Sequence, residues 1–223
     1  MTPAPERKGL DRRMILPLIA IVVIAGGFAL LLQRTGHNSQ PLAAGTHSAK
    51  SASFIGNELS PPKQAPPLAL RNYLGRHVNI AQYRGKALLV TFIYDHCPDV
   101  CPLIVANLRV AQNLMGAKTA AKAQIVAVSV DPRGDTPQTV AAFLKVHEMT
   151  GRMQYLIGSP KELGSVWQRW GVGSERDASQ PDLVNHSALV YGISASGQLK
   201  TVYIGGNFKP SEIAHDVPLL ASQ

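Results

Sequence analysis

The most constraining feature of this sequence is an apolar run, Ala87–Tyr94 (ALLVTFIY), that contains no charged side chain. It is rich in β-branched and aromatic residues, and polar residues do not alternate with the apolar ones. This pattern is typical of a strand buried on both faces of a sheet. The chain is therefore expected to cover a central sheet from both sides, as α/β proteins do.

Helical and strand-like patterns follow in turn. Residues 103–115 have the apolar spacing of a helix and residues 124–130 resemble another buried strand, which together predict a βαβ crossover. Thr136-Pro137 and Ser159-Pro160 are typical of an N-cap followed by the first helical residue. The remaining predicted elements are a hairpin within 68–81, helices over 137–147 and 161–170, strands over 154–157, 187–193 and 199–204, a loop over 171–186, and a last helix from Pro210 that Pro218 shortens or kinks. This order predicts a thioredoxin-like mixed sheet flanked by helices.

An uncharged apolar segment, Met14–Leu32, precedes the predicted domain. Its length is close to the ~20 residues that a membrane-spanning helix needs and exceeds the apolar core of an ordinary signal peptide, although late cleavage near Ala43–Gly45 stays open as the alternative. Basic residues flank it mainly on the N-terminal side, which predicts a cytoplasmic N-terminus and an outward-facing domain. The predicted division is a cytoplasmic segment 1–13, a transmembrane anchor 14–32, a flexible tether 33–66 rich in Ser, Ala, Gly and Pro, and a folded domain 67–223.

The net charge of +8 is partly a property of the N-terminal segment, since residues 35–223 carry 17 Lys and Arg against 12 Asp and Glu. The basic residues form no block and are not interleaved with aromatic ones. Nucleic acid is therefore not an expected partner.

Two cysteines, Cys97 and Cys101, follow directly on the apolar strand in the segment DHCPDVCP. The carboxyl ends of strands in open α/β sheets are where functional sites generally lie. A helix beginning at Pro98 or at Pro102 would place the thiols near its N-terminus, which favours the thiolate. The pair is therefore expected to be reactive, either as a reversible disulfide or as two sulfur ligands for a soft ion such as Cu(I).

Seven histidines are available to complete a copper site. His96 adjoins Cys97, but neighbouring residues at a strand end tend to point apart. His186 precedes strand 187–193, which is expected to run antiparallel to strand 87–94, so the start of one strand lies beside the end of the other. It is either a third ligand or an ordinary polar residue at a loop end. The other histidines are interpreted as surface residues, namely His37, His47, His77, His147 and His215.

Three further features are interpreted as structural. Trp167 and Trp170 are expected to pack in the core. Asp95 and Asp99 are interpreted as turn and helix-start acids, and DPRGD, residues 131–135, as a turn that requires no chemistry.

The segments TFIYDHCPDVCPLI, SVDPRGDTPQTVAAFLKVH and NHSALVYGI resemble the Sco/SenC family of copper-binding cytochrome c oxidase assembly proteins. The resemblance covers residues 67–223 and implies that Cys97, Cys101 and His186 bind Cu(I) or Cu(II). It also implies a metallochaperone in a bacterial inner membrane, with a single span and its domain in the periplasm. The implied partners are the copper-site subunit of cytochrome c oxidase, with other periplasmic copper chaperones or thiol reductants as further candidates.

One residue departs from the family pattern, because many members have Asp before the ligand histidine and this chain has Asn185. A group next to a ligand can tune its affinity, so weaker or faster-exchanging copper is one expectation.

Two other functions compete with copper delivery. A membrane-anchored thiol-disulfide oxidoreductase that reduces the cysteines of the oxidase copper site would use Cys97 and Cys101 as catalytic residues. A peroxiredoxin-like activity would need only a low-pKa Cys97, and no other residue supports it.

Overall fold

The computed structural model describes residues 53–180 and 183–223. Within these ranges, no helix has both the length and the apolar character that crossing a membrane requires. The predicted cytoplasmic segment 1–13, the anchor 14–32 and the first part of the tether lie outside the described residues.

The described residues form ten strands and four α-helices. The strands are β1 Asn57–Gln64, β2 Ala69–Asn72, β3 His77–Asn79, β4 Ala87–Ile93, β5 Ala123–Ser129, β6 Met153–Ile157, β7 Ser174–Arg176, β8 Val184–His186, β9 Leu189–Ile193 and β10 Gln198–Ile204. The helices are α1 Val100–Ala120, α2 Pro137–Val146, α3 Pro160–Trp170 and α4 Pro210–Ala221, with a 3-10 turn at Ile80–Tyr83.

Eight of the strands form one mixed sheet in the order β1-β10-β9-β4-β5-β6-β2-β3. The β4–β5 and β5–β6 pairs are parallel, and the others are antiparallel. All seven residues of β4 are buried, as expected of a strand covered on both faces. The predicted mixed sheet flanked by helices and the β4–α1–β5 crossover are confirmed.

Local capping explains where α2 and α3 begin. The Thr136 side chain accepts a hydrogen bond from Thr139 N, and Ser159 and Glu162 form the equivalent reciprocal pair. Each cap satisfies backbone N–H groups that the first helical turn leaves without partners, and a proline follows at the first helical position. Both predicted helix starts are therefore confirmed to within one residue.

The tether prediction is wrong for its last residues, because Asn57–Gln64 forms an edge strand paired antiparallel with β10. The backbone N–H groups of Ile55 and Gly56, just ahead of the strand, donate to the buried carboxylate of Asp216. Edge-strand pairing uses backbone groups, so the polar composition that suggested a tether did not prevent it.

Three boundaries also differ from expectation. Helix α1 begins at Val100, so Cys97 precedes the helix and Pro102 lies in its first turn, where a missing N–H has no cost. The predicted loop 171–186 contains the antiparallel pair β7–β8. Helix α4 includes Pro218 and continues to Ala221.

Candidate functional site

Cys97 and Cys101 lie at the carboxyl end of β4, one in the turn after the strand and the other in the first turn of α1. Both side chains are buried, and both thiols are free. The hydrogen bond with Cys101 holds the pKa of Cys97 well below its usual range against the opposing effect of burial, assisted by His186 and by the backbone at Asp99 and Cys101. The same bond and burial raise the pKa of Cys101. The pair therefore holds a thiolate at Cys97 and a thiol at Cys101.

His186 faces this pair from β8. Its Nε2 lies 3.6 Å from Cys101 Sγ, and its Nδ1 lies 3.3 Å from the carbonyl oxygen of Ser187. Nε2 is therefore the ring nitrogen that faces the sulfur atoms. It can donate to the Cys97 thiolate or, once it has lost its hydrogen, bind a metal.

Strand pairing brings His186 to this position. Strand β9 runs antiparallel to β4, with Thr91 opposite Val190, so the start of β9 lies at the end of β4 where the cysteines follow. His186 precedes β9 by three residues. The predicted antiparallel pairing is confirmed, and it places His186 beside Cys101. The ligand atoms of Cys97, Cys101 and His186 nevertheless do not all lie within 4.8 Å of one another.

Asn185 points away from the site. Along β8, Val184 is buried and His186 is half-buried, whereas Asn185 between them is exposed, as alternation along a strand requires. Its side chain hydrogen bonds with Asp177, whose pKa is lowered mainly by Ser179 and in smaller part by Asn185. The residue before His186 therefore contacts the hairpin and not the imidazole.

A network of acidic residues adjoins the cysteine turn, and sequence reasoning interpreted its members only as turn acids. His96 lies with Nδ1 2.9 Å from Asp95 Oδ1 and Nε2 3.2 Å from Asp131 Oδ2. Burial opposes protonation of His96, but the hydrogen bond and charge of Asp95 outweigh it and raise the pKa. The sequence did contain one signal of this network. Residues 131–135 follow directly on buried strand β5, which ends at the same sheet edge as the cysteines.

Asp135 is a buried member of this network. It accepts hydrogen bonds from Asp95 N at 2.9 Å and from the Tyr155 hydroxyl at 2.8 Å. Burial nevertheless raises the pKa of Asp135 to about 7. Among residues 53–180 and 183–223, ligand atoms of Asp95, His96 and Asp135 form the one group of three that lies within 4.8 Å. Both ring nitrogens of His96 already face carboxylates, so we describe this group as an ion-pair network.

The other residues considered from the sequence fall into ordinary roles. Trp170 packs 5.7 Å from Phe92 in the core, and Trp167 Nε1 donates to Ser129 O, as expected of structural tryptophans. His77 and His215 are exposed, and His147 packs against Phe143. His37 and His47 lie outside the described residues.

Comparison with known proteins identifies several similar chains. The family model SCO1/SenC matches residues 57–222. The human mitochondrial protein SCO1 homolog is 27% identical over 160 residues, which are 70% of this chain and 52% of that protein. The chain spans about half the length of the curated relatives that it matches.

Two copper-bound structures have the same fold. ScoI of Bradyrhizobium japonicum with copper bound is 28% identical with a TM-score of 0.62, covering 71% of this chain and 99% of that one. ScoI of Arabidopsis thaliana with copper bound is 29% identical with a TM-score of 0.61, covering 70% and 97%.

Proposed function

Because the chain belongs to the SCO1/SenC family, we propose that it is a metallochaperone that binds copper through Cys97, Cys101 and His186. It supports assembly of the binuclear copper centre of cytochrome c oxidase by delivering this ion. One observation carries the proposal, namely that His186 Nε2 faces the sulfur pair, 3.6 Å from Cys101 Sγ. The copper-bound ScoI proteins, similar in fold and sequence, support copper as the ion.

The chemistry of the three donors suits copper. Two sulfur ligands and one imidazole are the soft and borderline donors that Cu(I) prefers, and Cu(II) also accepts imidazole. Cys97 is already a thiolate, whereas Cys101 has to release its proton when the ion binds. The three ligand atoms do not form a set within 4.8 Å, so the ion draws them together as it binds. Copper binding is therefore expected to release protons and to tighten the cysteine turn.

The proposed setting is the outer face of a bacterial inner membrane. The uncharged segment 14–32 would form the single-span anchor, and the basic residues before it support a periplasmic domain. The proposed partner is the copper-site subunit of cytochrome c oxidase, with other periplasmic copper chaperones or thiol reductants as sources of copper and electrons. Residues 33–52 would allow the domain to reach these partners.

A second candidate function is thiol-disulfide exchange with the same subunit. The asymmetry of the pair favours it, because a thiolate at Cys97 attacks a partner disulfide and Cys101 then displaces the partner's sulfur. Two electrons pass to the partner, its disulfide becomes two thiols, and Cys97 and Cys101 become a disulfide. This reaction does not require His186, whereas copper delivery does.

Transfer experiments with the purified full chain in detergent separate the two functions. The copper-loaded chain is mixed with the reduced, copper-free copper-site domain of the oxidase subunit, and the absorption spectrum of the binuclear centre is followed. We expect the spectrum with wild type and not with Cys101→Ser. If copper-loaded wild type leaves the domain copper-free, while the copper-free dithiol form reduces an oxidised domain, the second function replaces the first.

A further inference from the structure

The hairpin that carries His186 is not part of the main sheet. Strands β7 and β8 form a separate two-stranded sheet, with Ser174 opposite His186 and Arg176 opposite Val184. The position of a metal ligand on such a hairpin depends on the contacts that fix the hairpin to the rest of the domain. These contacts therefore matter for the proposed copper site.

Besides the edge contact of the Tyr94 and His186 rings, 5.7 Å apart, two hydrogen bonds and an ion pair connect the hairpin to the ends of β4 and β5. The Ser174 hydroxyl donates to Val130 O at 3.0 Å, and Val184 N donates to the Tyr94 hydroxyl at 3.4 Å. The third contact is the ion pair between the Arg176 guanidinium and the Asp131 carboxylate. It is the charged one of the three, and its carboxylate is only 1% exposed.

Asp131 also contacts the residue next to Cys97. Its Oδ1 accepts the backbone N–H of Arg133 at 3.1 Å and the Arg176 guanidinium, while its Oδ2 lies 3.2 Å from His96 Nε2. Burying a carboxylate this deeply has a large desolvation cost, which its hydrogen bonds and ion pairs have to offset. These partners therefore fix the position of the carboxylate. The Asp131 carboxylate therefore connects the cysteine turn to the hairpin that carries His186.

We propose that Arg176 and Asp131 are positioning residues that hold His186 in register with Cys97 and Cys101. The inference rests on the proposed function, because it treats His186 as a copper ligand. Outer groups that orient metal ligands commonly change metal affinity by about 10- to 100-fold. Arg176 acts in this way on His186 from the opposite strand of the same hairpin.

The decisive experiment is a double-mutant cycle on the full chain, with copper affinity measured by competition against a chelator. Arg176→Gln lowers the affinity by about tenfold, and Arg176→Lys, which keeps the charge, recovers part of this loss. In a His186→Ala background, Arg176→Gln changes the affinity by less than about twofold, because the group through which it acts is absent. The matched control is Arg169→Gln, an exposed arginine on α3, which leaves the affinity unchanged.

A tenfold loss of equal size in both backgrounds, or no loss in Arg176→Gln, would overturn the proposal. Cys97 alkylation at pH 8, where Cys97 is a thiolate with or without the contribution of His186, provides a readout that distinguishes positioning from general destabilisation, since its rate in Arg176→Gln stays that of wild type. A similar change in alkylation and in affinity would instead indicate a disrupted cysteine turn.

Hydrogen exchange of the copper-free chain tests the hairpin contact without any assumption about copper. In Arg176→Gln, backbone amides of the hairpin, such as Asp177 N, which donates to Leu183 O, exchange faster than in wild type, while those of β4 do not change. Unchanged hairpin exchange would refute the positioning role. Equal copper affinity in wild type and His186→Ala would overturn the proposed function instead, and the exchange result would still stand on its own.

Discussion

His186 Nε2 lies 3.6 Å from Cys101 Sγ, although the two residues are 85 positions apart in the chain. The antiparallel pairing of β9 with β4 produces this proximity, and the hairpin β7–β8 fixes the final position of the imidazole. A buried thiol pair with an imidazole beside it differs from a structural disulfide, because both sulfur atoms are free and one of them is a thiolate.

The first prediction concerns the proton shared by the cysteines. Cys101→Ala removes the hydrogen bond that contributes most to the lowered pKa of Cys97, so that pKa rises toward its ordinary value. The rate of Cys97 alkylation in mildly acidic buffer falls by about tenfold for each unit by which the pKa comes to exceed the pH of the buffer. Cys101→Ser, which keeps a hydroxyl donor, serves as the control and retains more of the rate. Equal alkylation rates in wild type and Cys101→Ala would contradict the shared proton.

The second prediction concerns the dependence of stability on pH. Burial raises the pKa of Asp135 from about 3.9 in the unfolded chain to about 7 in the folded one. The stability that the neutral carboxyl provides is fully present below about pH 4 and is lost as the pH rises through about 7. In Asp135→Asn the side chain stays neutral at every pH, so this variant does not lose stability as the pH rises through about 7.

The Asn amide can still accept from Asp95 N and can donate to the Tyr155 oxygen, while the Tyr155 hydroxyl turns to Ile93 O, 3.3 Å away. Asp135→Asn is therefore expected to be more stable than wild type at pH 8, by on the order of 2 kcal/mol, and no more stable at pH 4. Urea unfolding at both pH values measures this difference, with exposed Glu148→Gln as the control. A gain that is the same at both pH values would show that the charge of Asp135 is not its cause.

The third prediction concerns Asn185, the residue directly before His186. Asn185→Asp does not tighten copper binding, because the side chain at this position points away from His186. It places a carboxylate opposite Glu175 and beside Asp177, and like charges facing each other across strands destabilise a pair by about 0.2–1 kcal/mol. We expect faster hairpin hydrogen exchange and unchanged or slightly weaker copper binding. A tenfold gain in affinity would show that position 185 does act on the ligand.

The parts of the fold that follow from local patterns were predictable from the sequence. The uncharged run Ala87–Tyr94 has one plausible environment, the centre of a covered sheet. Two helix starts are each marked by a local pair of residues, Thr136-Pro137 and Ser159-Pro160. His186 could be placed near the cysteines because the direction of one strand pair is enough to bring their ends together.

Features that depend on tertiary burial were not predictable. Asp131 and Asp135 follow β5 in a segment with the composition of a surface turn, and they are buried because Tyr155 lies beneath Asp135 and the hairpin with Arg176 covers Asp131. Strand β1 and the hairpin β7–β8 are held by backbone pairing within polar sequences, so side-chain patterns gave no sign of them. The polar network that connects the cysteine turn to His186 therefore becomes visible only in the structure.

Copper titration of the reduced full chain tests most directly whether His186 completes the site. Wild type, His186→Ala and the control His77→Ala, an exposed histidine on β3, are titrated with Cu(I) against a competing chelator. We predict one tightly bound copper in wild type and in His77→Ala, and an affinity at least about tenfold lower in His186→Ala. Copper affinity in His186→Ala equal to that of wild type would contradict the three-ligand site.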